Sequence, residues 1–152
     1  MSGWQFNSII IFGIFAFAGF LYTLYQCAKK DNSYGETRYF WIFGAFVFGD
    51  QVIFGLFWTA ASVITLYLKD WLLFLLIYSA FWLVRSVGET VYWLLPQFTP
   101  IKREPPQKWG HYKIFKNDSV WYVNQITFQC LTVATIISTI YLAKTWLASL
   151  PQ

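Results

Sequence analysis

Four long stretches of the sequence are almost free of charged side chains, and this feature restricts the possible folds more than any other. The stretches are residues 1–28, 39–68, 71–101 and 119–143. Asp50, Arg85 and Glu89 are the only charged residues inside them. About 20 apolar residues are enough for a helix to cross the ~30 Å hydrocarbon core of a bilayer. Charged residues make up 12% of the chain, against about 25% in soluble domains. The sequence therefore predicts an integral membrane protein.

These stretches are long and apolar on every face, which favours membrane-spanning helices over strands. We predict an all-α fold, an integral membrane four-helix transmembrane bundle, with spans near residues 7–27, 40–68, 71–95 and 120–143. The second span is longer than the hydrocarbon core requires, so we expect it to tilt or to project from the bilayer. The chain of 152 residues has the length of one ordinary domain. Residues 1–152 are therefore predicted to form a single transmembrane domain, in which residues 96–119 are a basic, proline-containing loop.

Basic residues are distributed unequally between the two ends of the spans. Of the 11 Lys and Arg residues, eight lie in the connections at residues 28–39 and 96–119. The opposite ends carry two, Lys69 and Lys144. Because cytoplasmic loops carry an excess of Lys and Arg, we expect both basic loops to be cytoplasmic. Both termini and the Lys69–Asp70 turn are then outside, and we expect the membrane to be the plasma (inner) membrane.

Tryptophan and tyrosine residues recur near the expected ends of the spans, as is typical of the aromatic belts at membrane surfaces. Trp58 and Trp82 lie too far inside their spans for this role. We expect both to pack inside the protein, where a buried indole N–H needs a hydrogen-bond acceptor.

The three charged residues within the spans are predicted to lie at similar depths. Asp50 and Arg85 each lie ten residues from the expected cytoplasmic end of their span, which is ~15 Å into the hydrocarbon core. Glu89 follows Arg85 by one helical turn, and Gln129 reaches about the same depth on the fourth span. We therefore predict an intramembrane polar cluster of Asp50, Arg85, Glu89 and Gln129. Further candidate members are Gln51, Tyr78, Tyr92, Asn124 and Gln125.

This cluster has two interpretations, because a charged side chain at the centre of a membrane helix costs ~2.5 to 3.5 kcal/mol on insertion scales. The first is a structural latch that fixes the register of the helices. The second is a site for a proton, an ion or a small solute. No inverted repeat or pair of broken helices, as found in many transporters, is visible in the four spans.

The two interpretations lead to different functions. We favour a small multi-pass membrane subunit or accessory protein that packs with itself, as a homo-oligomer, or with other membrane proteins. The alternative is a small membrane protein that transports a proton, an ion or a solute. A lipid-modifying membrane enzyme is the third possibility, but the sequence has no recognisable set of nucleophile, base and orienting residue. A non-enzymatic role is therefore favoured, with no catalytic residue assigned.

The long basic loop contains a segment in which basic and aromatic residues alternate. Its members are Lys108, Trp109, His111, Lys113 and Lys116. This pattern favours contact with anionic lipid headgroups at the cytoplasmic face or with a membrane-protein partner.

The chain offers little to bind a metal or a redox cofactor. It has one histidine and two cysteines, Cys27 and Cys130, without CxxC spacing. We therefore expect no metal and no cofactor, and we expect both cysteines to be buried as small apolar residues. In a membrane protein a net charge of +4 reports orientation and lipid contact, so we expect no nucleic-acid partner.

Overall fold

The structure is a computed structural model and describes residues 1–99, 112–115, 117 and 119–150. The helices are α1 (Gly3–Lys30), α2 (Phe48–Tyr67), α3 (Trp71–Phe98), α4 (Tyr112–Phe115) and α5 (Ser119–Ser149). Four of them, all except α4, are long and apolar enough to cross a membrane. The described part of the chain is helical apart from loops and one isolated β-bridge, so the predicted all-α class with four long apolar helices is confirmed.

The chain divides into two compact units, Met1–Ile77 and Tyr78–Gln152. The first contains α1, α2 and the beginning of α3. The second contains the rest of α3 together with α4 and α5. The assembly of the two units into a single four-helix domain stays a prediction.

Three helices are longer than the predicted spans. The first, third and fourth spans extend to Lys30, Phe98 and Ser149. Hydropathy marks the apolar part of a helix, whereas the helix itself continues until a residue stops it. In α1 the stop is Asp31 in a left-handed conformation, whose N–H bonds to the carbonyl of Gln26.

The predicted end of the third span at Leu95 is wrong by three residues, because α3 ends at Phe98. Proline removes one helical N–H, but Pro96 lies in the last turn of α3, and the helix continues to Phe98. Phe98 lies within residues 96–119, which the sequence assigned to the loop. The four residues of α4 also belong to that stretch.

The predicted second span is wrong at its start, because α2 begins at Phe48 and not at Phe40. Residues 40–47 form a loop with a short 3-10 turn, Trp41–Phe43, which ends at Gly44 with φ 74°. Apolar residues in this loop are buried, namely Phe40, Phe43 and Ala45, and hydropathy alone does not separate a buried apolar loop from a helix. The 20 residues of α2 give ~30 Å of helix, so the span has no excess length that would make it tilt.

This loop turns back alongside the helices of the first unit. Its second half pairs with the residues that precede it, through a hydrogen bond from the Thr37 N–H to the Phe46 carbonyl (2.9 Å) and an isolated bridge between Glu36 and Val47. At the tip, the Phe43 carbonyl accepts a hydrogen bond from the Trp58 indole N–H at 3.1 Å. Trp58 is ten residues into α2, ~15 Å from its start. The tip of the loop is therefore level with the middle of α2.

Helices α1 and α2 pack closely because glycine lies where they meet. A Cβ on Gly13 would lie 2.8 Å from the Ser62 Cβ, and a Cβ on Gly55 would lie 2.9 Å from the Ala16 carbonyl oxygen. The buried residues of α1 recur every three or four positions and are Ile9, Gly13, Ala16, Gly19, Thr23 and Gln26. Small residues allow the backbones of apolar helices to approach closely.

A short turn joins α2 to α3. Lys69 has a left-handed conformation with φ 52°, and the Asp70 carboxylate accepts the backbone N–H of Leu73 at 2.9 Å. A carboxylate in this position satisfies one of the free N–H groups at a helix start and interacts favourably with the helix dipole. The turn predicted at Lys69–Asp70 therefore sets the first residue of α3.

Candidate functional site

Glu89 is the centre of a polar network on one face of α3. Its Oε1 lies 2.9 Å from Nη2 of Arg85, four residues earlier. Its Oε2 accepts the indole N–H of Trp93, four residues later, at 3.1 Å. Residues four positions apart lie on the same helix face, so a single face aligns the three side chains. We call these residues the Arg85–Glu89–Trp93 network.

The side chains of this network are largely removed from solvent. The relative exposure is 19% for Arg85 and 10% for Glu89, and Trp93 is buried. Both carboxylate oxygens of Glu89 have a donor, one of them charged. The opposite charges of Arg85 and Glu89 compensate each other within one helix, which lowers the free-energy cost of placing both residues in an apolar environment.

The network continues from α3 to α5. The ring of Trp93 lies 5.5 Å from the ring of Trp121, and the Gln97 amide donates a hydrogen bond to Oε1 of Gln125 at 2.7 Å. The buried indole N–H of Trp121 has no acceptor among the described residues.

Hydroxyl groups join the same two helices over the rest of their length. The Ser79 hydroxyl lies 2.6 Å from that of Ser138 and 2.8 Å from that of Thr139. Farther along, the Thr132 hydroxyl donates to the Ser86 hydroxyl at 3.0 Å. Together with Gln97 and Gln125, these residues form what we call the polar seam. It extends from Ser79 to Gln97, ~27 Å along α3, and runs antiparallel on α5.

Asp50 has a different local role from the one that the sequence suggested. It lies in the first turn of α2, where its carboxylate accepts the backbone N–H of Phe46 at 3.2 Å. The predicted span had ten helical residues before Asp50, whereas α2 has only two. Its neighbour Gln51 is fully buried beside Gly19 of α1, and Gly19 lies ~16 Å from the end of α1 at Lys30. The first turn of α2 therefore lies beside the middle of α1 and not beside its end.

Gln51 is the most deeply buried of the predicted polar candidates. Its amide nitrogen lies 3.4 Å from the Ala16 carbonyl, and its amide oxygen has no donor among the described residues. The hydroxyl of Ser62, farther along α2, is buried in the same way.

The remaining predicted residues lie in several environments. Asn124 is buried and donates to the Val120 carbonyl of its own helix at 3.0 Å. Tyr78 and Tyr92 are half-buried on α3. Gln129 is exposed on α5, and no hydrogen bond is found for it in the described part of the chain.

The structure therefore brings Arg85 together with Glu89, and Gln125 together with Gln97. Asp50 belongs to the first unit and Arg85 to the second, so the expected pairing of these two residues stays a prediction. Sequence reasoning missed the serine and threonine members of the polar seam. A signal was present on α5, where Gln125, Thr132 and Thr139 recur every seven residues.

Of the basic and aromatic loop residues, Lys113 is exposed on α4. The predicted contacts of Lys108, Trp109, His111 and Lys116 lie outside the described residues.

The cysteines differ from expectation, because Cys27 is half-buried and Cys130 is exposed. Within the described residues no group of three or more His, Cys, Asp or Glu side chains is placed to hold a metal ion.

Comparisons of the chain with protein-family models, with curated proteins and with solved structures found no match. The role of the site is therefore inferred from its geometry. The Arg85–Glu89–Trp93 bonds lie within α3. The hydroxyls and amides of the polar seam join α3 to α5 and are suited to holding these two helices in a fixed register.

Proposed function

We propose that the chain is a small multi-pass membrane subunit or accessory protein that packs with itself or with other membrane proteins. The observation that carries this proposal is the engagement of both Glu89 oxygens by Arg85 and Trp93. The carboxylate acts as a connector inside α3 rather than as an open ligand. The polar seam supports the same role, because its hydroxyls and amides bond between α3 and α5.

The orientation that we propose for this subunit follows its basic residues. Residues 28–39 and 96–119 face the cytoplasm, and both termini face outward, in the plasma (inner) membrane. The exposed Lys113, with its basic and aromatic neighbours in the sequence, contacts anionic headgroups there. Each Lys or Arg close to such a surface contributes ~1 kcal/mol.

The test compares stability with transport in the same purified proteins. Glu89→Gln keeps the shape of the side chain but removes the charge that pairs with Arg85, and Arg85→Gln removes the other partner. We expect both variants to melt at lower temperature in detergent and to give less folded protein. Matched controls are Glu36→Gln and Arg38→Gln, because both side chains are exposed in the loop and their replacement should leave the melting temperature unchanged.

Reconstitution in liposomes separates this role from transport. We expect the wild-type protein to show no flux of protons, Na⁺, K⁺ or Cl⁻ above that of empty liposomes. The proposal fails if wild-type liposomes conduct and Glu89→Gln abolishes the flux while the variant melts like the wild type.

One observation favours the second candidate, a small transporter or channel. The tip of the loop at residues 40–47 places non-helical backbone level with the middle of α2. Such backbone occurs at membrane depth only where protein buries it or where it lines a water-filled cavity. The substitution Gln51→Leu decides between the two candidates. If the buried amide supports transport, the flux is lost. If Gln51 is only a packing residue, the melting temperature alone changes.

A further inference from the structure

Two buried polar groups on α2 have no hydrogen-bond partner in the described part of the chain. They are the amide oxygen Oε1 of Gln51 and the hydroxyl oxygen Oγ of Ser62. Gln51 is fully buried, and Ser62 is 2% exposed. Trp58 follows Gln51 by seven residues and precedes Ser62 by four, so all three lie on one face of the helix. The two polar groups are ~17 Å apart along α2.

Both groups lie inside the first unit, on the side of α2 that faces α1. A Cβ on Gly13 of α1 would lie 3.1 Å from Oγ of Ser62, and a Cβ on Gly19 would lie 2.6 Å from Nε2 of Gln51. The two polar side chains therefore fill the space that these glycines leave. Their neighbours on this side belong to the same unit, Met1–Ile77.

The amide of Gln51 gains no partner for its oxygen by turning over. Its Nε2 donates to the Ala16 carbonyl at 3.4 Å, which is longer than a typical hydrogen bond. The reversed amide would place its oxygen against the Ala16 carbonyl oxygen, and two acceptors do not bond to each other. Oε1 therefore needs a donor that the described side chains do not supply.

Ser62 differs from two buried threonines of the same unit. Thr23 and Thr65 each donate to the carbonyl four residues earlier in their own helix, at 2.8 Å. Ser62 has the carbonyl of Trp58 at the same spacing but makes no such bond. A buried polar group without a partner is destabilising, and such groups in proteins are generally paired with another protein group or with ordered water.

We propose that the first unit binds internal water at two positions, one on Oε1 of Gln51 and one on Oγ of Ser62. Water is both a donor and an acceptor, so it satisfies an amide oxygen and a hydroxyl alike. Globular proteins hold one buried water per ~27 residues, so two within Met1–Ile77 are an ordinary number. Trp58 lies between the two positions, fully buried, and its N–H bonds to the Phe43 carbonyl. The waters therefore occupy separate sites and form no continuous path.

The substitution Ser62→Ala distinguishes a hydrated hydroxyl from a dry one by the sign of its effect. Alanine keeps the Cβ beside Gly13 and is favoured over serine in a helix. Removal of a dry, unpaired hydroxyl should therefore raise the melting temperature. Removal of a hydroxyl that binds water should lower it, because the water loses a partner. We expect a decrease of about 2 to 4 °C in detergent. Thr65→Val is the control, because this hydroxyl bonds to its own helix, and its loss should change the melting temperature little.

Transfer of magnetisation from water protons, measured by solid-state NMR in bilayers, tests Gln51 directly. The side-chain amide signal of Gln51 is assigned by its loss in Gln51→Leu, and the indole signal of Trp58 by its loss in Trp58→Phe. We expect the Gln51 signal to grow several times faster than the Trp58 signal, although both side chains are fully buried. The indole is the matched control, because the protein itself supplies its acceptor.

Each part of the inference has a result that overturns it. An unchanged or higher melting temperature of Ser62→Ala overturns the water site at Ser62. A Gln51 signal that grows as slowly as the Trp58 signal overturns the site at Gln51. Rapid growth of both signals overturns the separation of the two sites by Trp58. The proposed function is tested independently by the liposome measurement and stands or falls with that result.

Discussion

Gly55 shows most directly how one atom limits the packing of the first unit. A Cβ at this position would lie 2.8 Å from the Phe20 Cβ and 2.9 Å from the Ala16 carbonyl oxygen. A backbone oxygen moves only if the helix moves, so Gly55→Ala should separate α1 from α2. Overpacking of this kind costs about 1 to 3 kcal/mol, and we expect a lower melting temperature in detergent.

Gly88 supplies the control for this substitution. It lies within α3, and a Cβ on it would meet nothing within 4 Å. Alanine is favoured over glycine in a helix by ~1 kcal/mol, so Gly88→Ala should leave the melting temperature equal or higher. Equal destabilisation by both alanines would contradict the close contact at Gly55.

Trp58 carries a second prediction at the scale of one residue. The sequence placed its indole inside the protein with an acceptor, and the structure confirms this through the bond to the Phe43 carbonyl. Trp58→Phe removes the donor and keeps an aromatic ring. An unsatisfied buried acceptor costs about 1 to 3 kcal/mol, so we expect lower stability and faster protease cleavage in the loop at residues 40–47. Trp41→Phe, at an exposed position of the same loop, should change neither.

At the scale of elements, the polar seam should contribute to the association of α3 with α5. Thr132→Val keeps the shape of the side chain and removes the hydroxyl that bonds to Ser86. Such contacts average ~0.6 kcal/mol and reach ~1.7 kcal/mol in membrane proteins, so thermal unfolding should begin at a slightly lower temperature. Thr127→Val is the matched control, since its hydroxyl is exposed and bonds only to its own helix. A double substitution of Ser86 and Thr132 that costs no more than either single one would confirm that the two hydroxyls act together.

The elements also show what the sequence can predict. Long apolar stretches identify four helices, because charges are excluded from each of them in the sequence itself. The loop at residues 40–47 was missed, since its phenylalanines are as apolar as a span and only Gly44 indicates a turn. The third span was predicted to end before Pro96, but a proline in the last turn removes only one helical hydrogen bond, and α3 continues to Phe98.

The candidate site was predictable in part for a similar reason. Arg85 and Glu89 are four residues apart, so helical geometry alone pairs them, and this pair is observed. The position of Asp50 depended on the start of α2, which hydropathy placed eight residues too early. The face on which Gln129 lies depends on which side of α5 packs against α3. Tertiary packing decides which side of α5 faces α3, and this packing is not predictable from a single sequence.

At the scale of the whole molecule, the distribution of basic residues predicts how the chain is oriented. Eight Lys and Arg residues lie in residues 28–39 and 96–119, against Lys69 and Lys144 at the other ends of the spans. The cost of moving basic loops across the membrane during insertion favours keeping them in the cytoplasm.

In protein with Cys27→Ala and Cys130→Ala, we expect Lys69→Cys to react with a membrane-impermeant maleimide added to intact cells. Tyr34→Cys, in the first basic loop and at an almost fully exposed position, should react only after permeabilisation. The reverse pattern would invert the proposed orientation. Labelling of both positions from outside would mean that the chain inserts in two orientations.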